Sequence, residues 1–100
     1  MFVGILEVDL LLPDDVGSLK DKRRHVRGLV AELRRRFDVA AAEAGHLDLH
    51  RRTLIGVAVV APDRAHCREV LDACERLMAG HPELQIVSVR QRFVGEHDEQ

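Results

Sequence analysis

Six cations recur at helical spacing near the N-terminus: Lys20, Arg23, Arg24, Arg27, Arg34 and Arg35. At 100° per residue they share an arc of about 120° on a helix. Phosphates repeat every few ångströms along a nucleic acid, so a rigid stripe of this kind could neutralise several at once. The segment that carries the six is "SLKDKRRHVRGLVAELRRRF", from Ser18 to Phe37. It holds eight Lys or Arg against two acids, Asp21 and Glu32, while the rest of the chain holds seven bases and fifteen acids. A helix built only for solubility usually alternates its signs. The bland alternative is a solvated face, made basic to offset Glu7, Asp9, Asp14 and Asp15.

Other reactive residues offer less. His46 and His50 have His-x3-His spacing with Asp48 between them, which on a helix would put two zinc ligands on one face. The run sits beside Gly45 and has no third nitrogen or sulfur ligand near in sequence, so no metal is expected. Cys67 and Cys74 would lie about 10 Å apart along a helix axis, too far to bridge. They read as two buried thiols in a reducing cytoplasm. Ser18 has no partnered histidine in view, and capping a helix accounts for it. No phosphate-binding glycine loop and no CxxC motif occurs. The loop "PDDVGS" is acidic where an acylphosphatase needs an arginine, and the chain has no Asn to place a water. No enzymatic activity and no cofactor are therefore expected. His25 and His66 fall within helices and His81 and His97 at element ends, with surface or capping roles.

These residues need elements to hold them. Phe2 to Leu12 alternates, with Leu6, Val8 and Leu10 on one face and Glu7 and Asp9 on the other, and predicts a strand. Its direct start after Met1, with two acids inside, is unlike a signal peptide, and no apolar run is long enough to span a bilayer. Pro13 and Gly17 break it. Ser18 caps a helix, with Asp21 completing an Asp version of the capping box. Val26, Leu29, Val30, Leu33 and Phe37 form its apolar stripe, flanked by Lys22 and Arg36, whose long stems should carry their charges to solvent. "DVAAAEA", Asp38 to Ala44, favours helix by propensity, but the stripe ends at Phe37 and the segment reads as a strand. "HLDLH" is a connector. Arg52 to Ala61 is apolar on both faces and predicts a central strand. Pro62 and Asp63 open a second helix with the stripe Cys67, Val70, Leu71, Cys74, Leu77 and Met78, ending at Gly80. Leu84 to Phe93 is the last strand, and "GEHDEQ" a polar tail.

The order β-α-β-β-α-β predicts an α+β fold: a ferredoxin-like sandwich, one domain over residues 1–95 with a tail at 96–100. Strands 1 and 3 should be central, with Ile55, Val57 and Val59 toward the helices. Leu54, Gly56 and Ala58 should join Glu7 and Asp9 on an uncovered face. The expected core is Leu6, Val8, Leu29, Leu33, Val57, Val59, Val70 and Leu71. Strand 3 is apolar on both sides, which suits a homodimer through the sheet or a strand edge; the rival reading is a monomer with a small exposed patch, which Gly56 and Ala58 make tolerable.

"GSLKDKRR", "RRRFDVAAAE" and "LIGVAVVAPDRAH" resemble the YlxP-like family of small bacterial proteins over roughly residues 3 to 94. The resemblance implies a ferredoxin-like fold. It also implies a gene setting among translation-initiation and ribosome-maturation factors, with no established activity. The family's Gln-Asp-Leu-Trp-like connector reads "HLDLHRR" here: Asp48 and Leu49 match, and His50 stands at the aromatic. The sheet offers no aromatic for stacking bases, and Glu7 and Asp9 repel a backbone, so the expected partner is structured RNA or a ribosomal subunit, met through the basic helix. The competing reading takes "DDVGSL" as the loop of an ACT-type dimeric module that senses a small molecule or binds a protein.

Overall fold

The computed structural model describes residues 1–95 of the 100-residue chain. The expected polar tail from residue 96, with His97, lies outside the described residues. Six elements follow in order: β1 (Phe2–Leu11), α1 (Leu19–Phe37), β2 (Ala40–Gly45), β3 (Arg52–Ala61), α2 (Arg64–Ala79) and β4 (Gln85–Gly95). The strands form one antiparallel sheet in the order β2-β3-β1-β4, so β1 and β3 are central and β2 and β4 are the edges. This is the ferredoxin-like βαββαβ sandwich, with both helices over one face and α1 packed against β2 and α2 over β1 and β3.

Alternation sets the two faces. Leu6, Val8 and Leu10 of β1 and Ile55 of β3 are fully buried beneath the helices. Each such side chain contributes about 1.5–3 kcal/mol by leaving water. The helices complete this core with Leu29, Leu33, Cys67, Leu71, Cys74 and Met78. Seven of the eight expected core residues are in it. Val70 is only half-buried and packs on the margin. Both thiols are free and buried, and burial pushes Cys74 up to about 11.

Element ends follow local chemistry. The Ser18 hydroxyl accepts from the Asp21 N–H, and the Asp21 carboxylate reaches back to the Gly17 N–H rather than to that of Ser18. Asp63 caps α2 in the same way, accepting from His66 N–H. Helix α1 stops where expected, but β2 begins at Ala40, not Asp38. Asp38 takes the left-handed conformation at φ 52° and donates its N–H to Arg34 C=O, a helix stop that Asp tolerates better than most residues. Strand β4 extends past Phe93 to Gly95, where the Phe2 ring lies so close that no Cβ would fit. Opposite Asp9 and Leu10 the register jumps from Ser88 to Ile86, leaving Val87 as a bulge.

Candidate nucleic-acid interface

Lys20, Arg23, Arg24, Arg27, Arg34 and Arg35 are all exposed on α1, on the helix side opposite the buried Leu29 and Leu33. From Lys20 to Arg35 the stripe runs about 22 Å at 1.5 Å per residue. Gly28 and Ala31 lie among these cations, and nothing stands within 4 Å of where a Gly28 Cβ would be. Among the described residues, Lys20, Arg23, Arg27 and Arg35 have no ion-pair partner. Arg24 is loosely associated with Asp21 at 3.6 Å, both well exposed. Arg34 is the exception to the group. Its guanidinium turns to the β2 edge and donates to Ala41 C=O at 2.6 Å. The structure thus brings five of the six expected cations together and seats the sixth beside the sheet.

The two acids of α1 do not interrupt the stripe. On the helix they project at about 100–120° from Lys20, beyond its margin. Asp21 serves the cap, and Glu32 faces the α2–β4 turn, where it accepts from His81 at 3.0 Å and lies 3.8 Å from Arg36. His81 also contacts Glu83 at 2.9 Å. Burial works against the charged imidazole, but the Glu83 and Glu32 carboxylates outweigh it and hold His81 above its usual range.

Three of the four acids that the stripe could have been offsetting have cations of their own. Arg52 grips Asp9 with two hydrogen bonds, at 2.7 and 3.1 Å, and the His46 ring adds a third at 3.1 Å. The Arg52 guanidinium, against some opposition from burial and with help from His46, holds the Asp9 carboxyl below the usual carboxylate range. Asp14 pairs with Arg51, and Glu7 lies 3.6 Å from Arg90. None of these cations comes from α1.

Lys22 departs from expectation. It does not reach solvent: the side chain is 2% exposed, with Nζ 2.8 Å from Glu43 and 2.6 Å from His46 C=O. Thr53 donates to the same Glu43 carboxylate at 2.7 Å. His46 can offer its carbonyl there because it adopts φ 57°, which turns the chain out of β2. The sequence held two signals of this pair. Lys22 falls at about 200° on the helix, inside the arc of Leu29, Leu33 and Val26 rather than beside it. Glu43 falls on the covered face of β2, two residues from buried Ala41. Arg36 does flank the stripe as expected, over the edge of Phe37 at 5.6 Å to the ring centre.

The remaining expected positions sort simply. His46 is committed to Asp9 and His50 is exposed, and among the described residues no group of three His, Cys, Asp or Glu is placed to hold a metal. In the β1–α1 loop the Val16 N–H bonds Pro13 C=O and the Gly17 N–H bonds Asp21. These two amides are thus engaged within the loop and the helix cap. Gly17 does not use a positive φ. No helix among the described residues is long and apolar enough to cross a membrane.

With this geometry in hand, comparison with known proteins adds the family. Residues 3–91 match the family described as "Protein of unknown function (DUF503)". The chain belongs to this family. It is also similar to a Bacillus subtilis (strain 168) protein named "Uncharacterized protein YlxP". The two are 28% identical over 83 residues, which is 83% of this chain and 89% of the relative. Membership in the DUF503 family covers β1 through most of β4, so the basic helix lies inside the family's common region.

Proposed function

We propose that this DUF503 protein is a non-enzymatic RNA-associated protein of the cytoplasm that binds structured RNA, such as a ribosomal surface, through the phosphate backbone. The contact surface is the exposed face of α1: Lys20, Arg23, Arg24, Arg27 and Arg35, with Arg34 at its margin. The carrying observation is that four cations of this stripe, Lys20, Arg23, Arg27 and Arg35, have no ion-pair partner among the described residues. Its own acids cap the helix or bind His81, Asp9 and Asp14 pair with Arg52 and Arg51, and Glu7 has Arg90 at 3.6 Å. A face that only balances neighbouring acids has no such surplus.

The mode of binding follows from the shape. A straight helix presents charges but no base-reading pocket, so affinity comes from phosphates and sequence preference is weak. Gly28 and Ala31 keep the stripe low, so that a sugar-phosphate backbone can approach it. The open sheet face gives no competing platform, because its central strands carry no aromatic side chain there and Glu7 sits in the middle. The translation-linked setting implied by the family resemblance agrees with a ribosomal target.

The reading is tested by co-sedimentation with purified ribosomal subunits at two salt concentrations. Binding to one subunit at low salt that weakens several-fold at about 200 mM salt is expected for phosphate contacts. Absence of binding to either subunit, and to isolated ribosomal RNA, at low salt would end the proposal.

A further inference from the structure

The sheet face opposite the helices is uncovered, and its relief is unusual. Read across the strands in register, Val60, Val3 and Val94 form one apolar row, with Val60 63% exposed. The next rows place Ala58, Ile5 and Arg92 side by side, then Gly56, Glu7 and Arg90. On the β2 side, Ala40, Ala42 and Ala44 continue the small-residue surface. Together with Gly56, Ala58 and Ile5 they line an open depression of about 780 Å³, with Glu7, Arg34 and Arg92 at its walls. Adding a Cβ at Gly56 would bring it to 3.2 Å from the Ala44 Cβ, so the floor is already closely fitted.

We infer that this face is a dimer interface, occupied by the same face of a second copy of the chain. Three properties select a second copy. The first is shape: one half of the face is a trough of Ala and Gly, and the other half carries the long side chains of Arg90 and Arg92. A two-fold rotation lays the protruding half of each copy over the recessed half of the other. The second is charge. Where an isologous contact includes charges, both signs must lie on the patch, and Glu7 lies beside Arg90 and Arg92 with Arg90 only loosely engaged at 3.6 Å. The third is area. Four strands at about 4.8 Å and ten residues at about 3.3 Å make a plane of roughly 600 Å² before side-chain relief is added. A standard interface buries about 800 Å² per partner, the same order. An acidic or basic partner of another kind would be matched by one sign only. The dimer covers Arg34 but leaves Lys20, Arg23, Arg24, Arg27 and Arg35 of each copy outward, so it stands or falls separately from the RNA reading.

The test is a charge exchange followed by sedimentation equilibrium. Wild-type protein is expected to run at twice 11.3 kDa at micromolar concentration. Glu7→Arg and Arg92→Glu each create a self-repelling face and are expected to be monomeric, with circular dichroism unchanged. Mixed in equal amounts, the two variants carry opposite faces and should associate again. Ala42→Arg, which fills the trough and leaves every native charge in place, should also be monomeric and folded. A wild type that is monomeric at high micromolar concentration would overturn the inference. So would dimers that survive Ala42→Arg, or a mixture of the two charge variants that stays monomeric.

Discussion

Lys22 shows what a single buried charge does to this fold. Its ammonium joins α1 to β2 through Glu43 and closes the β2–β3 connector through His46 C=O. Removing one partner of a buried pair leaves the other desolvated, which typically costs 3–5 kcal/mol. Lys22→Met is therefore expected to lower the unfolding free energy by about 3 kcal/mol in urea titrations. Adding Glu43→Gln should recover part of that loss, because the orphaned charge is gone; strictly additive losses would show that the pair is not coupled. His81 offers a second check. Its folded pKa is raised, so its contribution is fully present below the ordinary value of 6.5 and is lost as pH rises through the higher folded value. The stability difference between wild type and His81→Gln should be largest below pH 6.5 and should shrink as the pH rises above it. A difference that grows with pH would contradict the Glu32–His81–Glu83 arrangement. Neither interaction was legible in full from the sequence. Periodicity could show that Lys22 lies in the apolar arc, but not that Glu43 arrives opposite it, because that meeting is made by the crossover from α1 to β2.

At the scale of elements, much was legible because each segment carried its own period. Alternation in β1 and the two-sided apolar run of β3 fixed which strands are central, and the two helix stripes fixed the covered face. The "DVAAAEA" segment shows context overriding propensity: alanines that favour helix form β2 because Asp38 ends α1 and Ala41 has a core to face. What could not be read was where long side chains turn. Arg34 shares the angular sector of the other cations, yet bonds a β2 carbonyl that only the folded edge provides. The same element yields a stability prediction. Gly28 is exposed within α1, takes a negative φ, and has open space where a Cβ would go. Gly28→Ala should stabilise by about 0.5–1 kcal/mol, through reduced freedom of the unfolded chain. In a domain of this size that raises the melting temperature by several degrees, readable by calorimetry. No gain would indicate that α1 is distorted at this point.

The whole molecule has two unlike faces. One is an open sheet of small apolar residues with a few charges of both signs, suited to a copy of itself. The other is the helical layer, where α1 gathers more than half of the Lys and Arg of a formally −2 chain, most of them on one exposed stripe. RNA binding by the second face is best measured through the dependence of affinity on salt. Arg23, Arg24 and Arg27 are replaced together by Glu, which leaves Val26, Leu29 and Leu33 in the core and barely changes helix propensity. The reference variant replaces Arg68 and Arg76 of α2 by Glu, where Glu69, Asp72 and Glu75 already interleave the bases. Affinity for ribosomal RNA is then followed from low to moderate salt for each protein. The account predicts that the slope of log affinity against log salt flattens by about 2 to 3 for the α1 variant, as three phosphate contacts vanish, and changes little for the α2 variant. Equal slopes for wild type and the α1 variant, or equal losses from both helices, would contradict it.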